Sequence, residues 1–256
     1  MLSLEVLSLA FILWIYVCLV SAKMGRRIID LRLVAFLLCA AVIHESSGGT
    51  AMIGISDKQQ LYTRSVRNGD WRKASGKSCC VISVAQMRDD TLVGVGEDNR
   101  LYTKQRPSVG EWEGPIPGSC CLINVAVLPG NIILGVTNKR KLVYREGLYG
   151  DWIMPENPCC VKDVAPMKDG RLLGLNRDSQ LVIREGIKGQ WKFFRDVGHK
   201  MSAIAVEPKG VIYGIDQDTC EMHVLGEDGV WEEPAIPNSK CMIDITSIDV
   251  LTPPKF

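Results

Sequence analysis

The chain has 256 residues, of which 46% are hydrophobic, and it carries 30 Lys and Arg against 29 Asp and Glu, for a formal net charge of +1. This near-neutral balance includes no long basic run. It therefore gives no reason to expect a nucleic-acid partner.

Residues 1–46 are predicted to be a leader. An apolar run of about 20 residues comes first, and Arg26, Arg27 and Arg32 then precede a second apolar run. Read from Met24, the segment has the pattern of a secretory signal, so we expect Met24 to be the true start and residues 1–23 to be an upstream extension. The alternative is a signal anchor at residues 2–22. In both cases residues 47–256 are expected outside the cytosol, as a secreted domain with no membrane span in the mature chain.

The rest of the chain is a repeat. Five tryptophans recur at intervals of 39 to 41 residues, and a glycine follows the same spacing. The repeated residues are Trp71, Trp112, Trp152, Trp191 and Trp231, with Gly54, Gly94, Gly135, Gly174 and Gly214. Such a period indicates one supersecondary unit that buries its apolar face against its neighbours.

Each unit has the pattern of four short strands. Residues 120–152 contain the runs LINVAVL, NIILGV and KLVYRE, followed by a run around Trp152, and Gly, Asn and Asp separate them. About 40 residues in four strands match one blade of a β-propeller. A helical repeat of similar length is the alternative, but the density of glycine and β-branched residues argues against it.

The ends of the repeat region predict how it closes. It opens with a run of the second type, AMIGI, at residues 51–55 and ends with a run of the first type, CMIDITSIDVL, at residues 241–251. Pairing the two would complete a blade and remove the unpaired sheet edges. We therefore predict an all-β, five-bladed β-propeller of four-stranded blades, closed by the N-terminal and C-terminal strands.

Eight cysteines follow the leader, and six of them are adjacent pairs at one repeat position. They are Cys79, Cys80, Cys120, Cys121, Cys159, Cys160, Cys220 and Cys241. Because neighbouring residues of a strand point to opposite sides, each pair is predicted to bridge both adjacent blades. This gives the ring Cys80–Cys120, Cys121–Cys159 and Cys79–Cys241, with Cys160–Cys220 as the fourth bridge. Vicinal disulfides, free thiols and a bridge to another chain are the alternatives, and secretion favours oxidation.

Catalytic motifs are absent from the sequence, so we expect no enzyme activity and no cofactor. Adjacent cysteines do not have the spacing of zinc ligands, and no metal is expected. His199 and His223 are expected to face solvent. Five similar units favour several similar binding sites over one asymmetric catalytic centre.

The polar turn after each repeated glycine is the candidate binding site. These turns offer the donors and acceptors that sugar hydroxyls need, although turn residues also cap their own backbone. The candidate residues are Asp57, Gln59, Asp98, Asn99, Asn138, Arg140, Asp178 and Gln180. The tryptophans are predicted to pack between sheets, with sugar stacking as the alternative.

Segments such as DGRLLGLNRDSQLVIREGIKGQW and DDTLVGVGEDNRLYTKQRPSVGEW resemble the tectonin/tachylectin β-propeller repeat over residues 51–251. The chain is also similar to the tachylectin-like subunit of snail egg perivitellins. The resemblance implies a multivalent lectin of innate defence or egg protection, with glycans as partners. The alternative is a protein-interaction or targeting subunit of a larger complex, such as a pore-forming toxin to which the perivitellin resemblance implies a disulfide link. The paired cysteines depart from the family pattern.

Overall fold

Strands joined by turns make up the part of the chain that the computed structural model describes, which is residues 49–65, 69–76, 78–194 and 198–250. The predicted leader lies outside these residues. The strands, in chain order, are β1 (Gly49–Ser56), β2 (Leu61–Ser65), β3 (Arg72–Lys73), β4 (Val81–Gln86), β5 (Leu92–Gly96), β6 (Leu101–Lys104), β7 (Leu122–Leu128), β8 (Ile132–Thr137), β9 (Leu142–Glu146), β10 (Val161–Pro166), β11 (Leu172–Asn176), β12 (Leu181–Arg184), β13 (Lys192–Phe193), β14 (Met201–Val206), β15 (Ile212–Asp216), β16 (Met222–Leu225) and β17 (Met242–Val250). Within these ranges no helix is long and apolar enough to span a membrane.

The strands form five antiparallel sheets in a β-propeller-like arrangement. Sheet I has the order β17-β1-β2-β3, and sheet IV has the order β10-β11-β12-β13. Sheets II (β4-β5-β6), III (β7-β8-β9) and V (β14-β15-β16) have three strands each. In these three sheets the predicted fourth strand is reduced to an isolated bridge, at Thr103–Glu113, Tyr144–Ile153 and Leu225–Trp231. The segment around each tryptophan is thus too irregular there to continue the ladder.

The first strands of the sheets lie next to one another. They contact each other in the order β17, β4, β7, β10, β14 and back to β17. Strand β17 pairs with β1 from Gly49–Val250 to Ser56–Met242, so the last strand of the chain joins the sheet of the first. Each first strand also skips one residue of register near its start, as between Val81 and Ser83 in β4. This bulge changes the direction in which the following side chains point.

The repeated tryptophan and glycine form one packing unit in each sheet. A Cβ atom on Gly94 would lie 2.7 Å from Cη2 of Trp112, and the corresponding distance from Gly214 to Trp231 is also 2.7 Å. The glycine therefore leaves the space that the indole fills. Each tryptophan packs on an apolar cluster shared with the neighbouring sheet, as Trp112 does with Ile53 and residues of β4. The predicted packing of the tryptophans between sheets is confirmed.

The third strand of four sheets carries a buried, positively charged side chain. The hydrophobic pattern of the sequence gives no sign of it. These residues are Arg64, Lys104, Arg145 and Arg184. The arginines stack on the tryptophan of their own sheet, with the guanidinium carbon 4.7 to 5.7 Å from the ring centre. Arg184 also donates to the carbonyl oxygens of Glu156, Asn157, Gly186 and Ile187 at 2.5 to 3.1 Å. It thereby fastens the loop that leads into sheet IV.

Candidate functional site

The polar turns join the second and third strands of every sheet. One residue in each has a positive φ between 55° and 64°, namely Gln59, Asn99, Arg140, Ser179 and Cys220. In the first four turns the carbonyl oxygen of this residue accepts a hydrogen bond from the start of the next sheet. The donors are the backbone N–H groups of Cys80, Leu122, Val161 and Met201, at 2.9 to 3.1 Å. The turns therefore hold neighbouring sheets together.

This arrangement separates the candidate site residues into structural and exposed ones. The side chain of Asn99 donates to the carbonyl oxygen of Leu122 at 2.9 Å, so its amide is occupied. Gln59 and Arg140 contribute their carbonyl oxygens to the contacts between sheets. The Gln180 side chain accepts from Asn176 at 3.2 Å. The exposed candidates are Asp57, Asp98, Asn138 and Asp178.

The cysteines pair differently from the predicted ring. Three disulfides are vicinal, at Cys79–Cys80, Cys120–Cys121 and Cys159–Cys160, and the fourth joins Cys220 to Cys241. The predicted ring of disulfides required an extended chain at each pair, in which adjacent side chains point to opposite sides. Instead, Cys80 and Cys121 have φ values of 79° and 78°, and the strands begin one residue later. The chain is turned at the pair, so the predicted bridges Cys80–Cys120, Cys121–Cys159, Cys79–Cys241 and Cys160–Cys220 do not form.

The Cys220–Cys241 disulfide does connect two sheets. Cys220 occupies the positive-φ position in the turn of sheet V, and Cys241 immediately precedes β17 in sheet I. In the other turns the same junction is made by a backbone hydrogen bond. The disulfide therefore replaces that hydrogen bond where the chain's last strand joins sheet I.

A pocket of about 290 Å³ lies beside the turn of sheet II. The disulfide Cys79–Cys80 forms one wall, and Glu97, Asp98 and Tyr102 contribute polar groups. The Tyr102 hydroxyl donates to Asp98 Oδ2 at 3.0 Å, while the backbone N–H of Arg100 donates to Asp98 Oδ1 at 3.1 Å. These two bonds fix the carboxylate in one orientation. Partial desolvation and the contact with Asp98 raise the pKa of Tyr102, which keeps its hydroxyl protonated.

Tyr102 was not among the predicted site residues, although a signal for it exists. It follows a buried leucine at the start of the third strand, and the equivalent residues are Tyr62, Val143, Val182 and His223. A tyrosine therefore stands at this position in the first two units only. In sheet I, Lys240 Nζ lies 3.7 Å from the centre of the Tyr62 ring and covers it. Tyr102, by contrast, lines the pocket of sheet II.

Other sheets keep part of the same geometry. The backbone N–H of Glu97 donates to the carbonyl oxygen of Cys80 at 3.3 Å, and that of Asn138 donates to Cys121 at 2.9 Å. In sheet V the equivalent bond joins Gln217 to Lys200 at 2.8 Å. The turn therefore lies against the start of the first strand in at least three sheets, while the side chains around it differ.

Sheet V has a pair of histidines at this place. The rings of His199 and His223 are 5.3 Å apart, and His199 Nδ1 lies 2.9 Å from Asp216 Oδ2. Burial alone would raise the pKa of Asp216, but hydrogen bonds from Thr219, His199 and Asp218 outweigh it and lower the pKa to about 2. His223 is 2% exposed. The expectation that it faces solvent is wrong, because the ring is packed in β16 at the position that the buried Val143 and Val182 occupy in sheets III and IV.

Among the residues that the structure describes, no group of three or more His, Cys, Asp and Glu side chains is placed to hold a metal ion.

Comparisons with known proteins bear on the fold alone. No family model and no curated protein matches the sequence. Among solved structures, one similar chain is a symmetrical protein from work on de novo evolutionary emergence, at 13% identity and a TM-score of 0.57, covering 80% of this chain and 100% of the other. A gluconolactonase from Xanthomonas campestris is 10% identical with a TM-score of 0.48, covering 81% of this chain and 85% of its own. The first of these likenesses agrees with the all-β fold described above.

Proposed function

We propose that the chain is a secreted glycan-binding protein of the tectonin/tachylectin type and that the pocket of sheet II is its best-formed site. The observation that carries the proposal is the combination of Tyr102, Asp98 and the Cys79–Cys80 disulfide around one exposed pocket. A pyranose ring has an apolar face and a rim of hydroxyl groups. The aromatic ring and the disulfide suit the face, and the oriented carboxylate suits the hydroxyls.

The proposal includes a closed ring of five blades. Two features support it: the pairing of β17 with β1, and the contacts that run through the first strands and return to β17. In a closed ring the turns of all sheets would share one face. Weak sites on that face would then act together on a dense glycan surface, with avidity exceeding the affinity of any single site.

Glycan binding is favoured over the alternative of a disulfide-linked targeting subunit. All eight cysteines after the leader are paired within the chain, which uses the thiols that such a partner would need. Secretion is also part of the proposal, and it rests on the leader sequence. N-terminal sequencing of the protein from a culture medium would test it, with a mature start close to residue 47 as the expected result.

The function is tested on a glycan array followed by calorimetry with the best saccharide. The variant Asp98→Ala should remove the sheet II site and lower the binding stoichiometry. Asp89→Ala is the matched control, because Asp89 Oδ1 accepts from the backbone N–H of Thr91 at 3.1 Å in the turn at the opposite end of the same sheet. Binding that survives Asp98→Ala unchanged would remove the sheet II pocket from the proposal. The absence of any saccharide binding would overturn the function itself.

A further inference from the structure

A second group of polar residues lies where the five first strands meet. The third residue of four of these strands is polar, and the residue that follows it is apolar in each case. These residues are Ser83, Asn124, Asp163 and Asp244, each at most 5% exposed, and Ala203 stands at the fifth position. We call the four polar residues the axial cluster. The register shifts near the starts of the strands place them together.

One carboxyl oxygen of each aspartate accepts a hydrogen bond from the backbone of another sheet. Asp163 Oδ2 accepts from the backbone N–H of Ile204 at 2.8 Å, and Asp244 Oδ2 accepts from Val84 at 2.9 Å. Each bond reaches the first strand of another sheet. The other two oxygens, Asp163 Oδ1 and Asp244 Oδ1, converge on Asn124 Nδ2 at 2.9 and 3.0 Å.

The hydrogen bonds of this group leave one oxygen without a partner. Ser83 Oγ lies 3.2 Å from Asn124 Nδ2, accepts from the backbone N–H of Val125 at 3.0 Å and hydrogen-bonds to the Asp244 carboxyl group. The Asn124 Oδ1 atom is buried and has no hydrogen-bond partner. Two carboxyl groups, a hydroxyl group and an amide whose oxygen has no partner together offer a set of hard oxygen ligands.

The cluster also holds two carboxyl groups away from solvent. Burial raises the pKa of Asp163 to about 6. Burial and the charge of Asp163 raise the pKa of Asp244 well above its usual range. Lys162 adjoins Asp163 in sequence, but its Nζ donates to Ser179 Oγ at 2.6 Å. A cation bound between the two carboxyl groups would favour their ionised forms.

A cavity gives access to the cluster. It has a volume of about 640 Å³ and is lined by Asn124, Asp163 and Asp244 at one end and by turn residues such as Arg88 and Lys168 at the other. These turns follow the first strands, so the cavity leads toward the end of the sheets opposite the polar turns. Its size allows water to complete the coordination of an ion.

We propose that the axial cluster is a binding site for a hard divalent cation, with Ca²⁺ as the best match. The ligands would be Asp163 Oδ1, Asp244 Oδ1, Ser83 Oγ and, after the amide turns over, Asn124 Oδ1, together with water. Two carboxylates balance the charge of one divalent ion, and neutral oxygens and water commonly fill the remaining positions around Ca²⁺. The bound ion would join four first strands and add to the stability of the whole domain.

The test is titration of the metal-free full chain with CaCl₂ by calorimetry, together with elemental analysis of protein purified without chelator. We expect one ion per chain and a rise in the unfolding temperature with added Ca²⁺. Asp163→Asn and Asp244→Asn should each weaken binding by about tenfold or more. Asp216→Asn, which changes a buried carboxylate of sheet V, is the matched control and should bind Ca²⁺ as the wild type does.

Two results would overturn the proposal. One is the lack of any heat or stabilisation with Ca²⁺ up to about 10 mM, above the range of weak extracellular calcium sites. The other is unchanged Ca²⁺ binding in both Asn variants, which would place the ion elsewhere.

Discussion

The contact between Gly94 and Trp112 predicts that Gly94→Ala destabilises the fold. This is the opposite of the usual effect, because alanine is normally more favourable than glycine inside a strand. The added Cβ would lie 2.7 and 2.9 Å from two indole carbons and 3.2 Å from Val81 Cγ1. Ordinary contacts between carbon atoms are about 3.5 to 4.0 Å. The indole cannot move freely, because it is held in the apolar cluster between sheets I and II.

The magnitude follows from two opposing effects. Overpacking a well-packed site typically costs about 1–3 kcal/mol. Replacing glycine by alanine gains about 0.5–1 kcal/mol from the lower conformational entropy of the unfolded chain. We therefore expect a net loss of about 1–2 kcal/mol in the free energy of unfolding.

Urea denaturation of a double-mutant cycle measures this contact. Trp112→Phe removes the outer carbons of the indole, so Gly94→Ala should cost less in that background than in the wild type. The expected coupling energy is about 1 kcal/mol. The double variant should lose that much less stability than the two single losses added together. A neutral or stabilising Gly94→Ala, or a coupling of zero, would refute the packing argument.

Three further predictions concern the described interactions. Replacing Cys220 and Cys241 together by serine should lower the free energy of unfolding by about 3 kcal/mol, because the disulfide closes a loop spanning 21 positions. Equal stability of the variant and the wild type in urea would contradict a stabilising role for this disulfide. In chelator, the free energy of unfolding should fall as the pH rises from about 4 to 6, because the raised pKa of Asp163 lets the folded state hold its proton longer than the unfolded chain. Asp163→Asn should reduce this slope in denaturation at each pH without abolishing it, because burial also raises the pKa of Asp244. Arg184→Ala should cost about 3 kcal/mol or more in the same assay, since four carbonyl oxygens lose their donor, and a change below about 1 kcal/mol would show that water replaces it.

The sheets were predictable from the sequence because packing repeats in the same way in each unit. A glycine that admits an indole must recur with its tryptophan, so the regular spacing of residues such as Gly94 and Trp112 is enough to mark each unit. The pairing of β17 with β1 was predictable for a similar reason, since the repeat region begins with a second-strand pattern and ends with a first-strand pattern.

Cysteine pairing was not predictable because it depends on local backbone angles. The prediction required Cys79 and Cys80 to lie in an extended strand, whereas the φ of Cys80 is 79°. A positive φ at a residue other than glycine leaves no mark in the hydrophobic pattern.

The candidate site was located only to the level of the turns. The sequence does not distinguish Asp98, whose carboxylate is exposed, from Asn99, whose amide is bound to the next sheet. The axial cluster did leave a signal, a polar residue such as Asp163 or Asp244 inside an apolar strand. That signal was missed because such residues look like ordinary interruptions until the bulges bring them together.

The most direct test of the proposed function is a crystal structure of the secreted chain with the strongest saccharide from the array. The proposal predicts saccharide density in the pocket of sheet II, with the sugar ring against Tyr102 and the Cys79–Cys80 disulfide and a hydroxyl group bound to Asp98. Density for the sugar at another place, with this pocket filled by water alone, would contradict it.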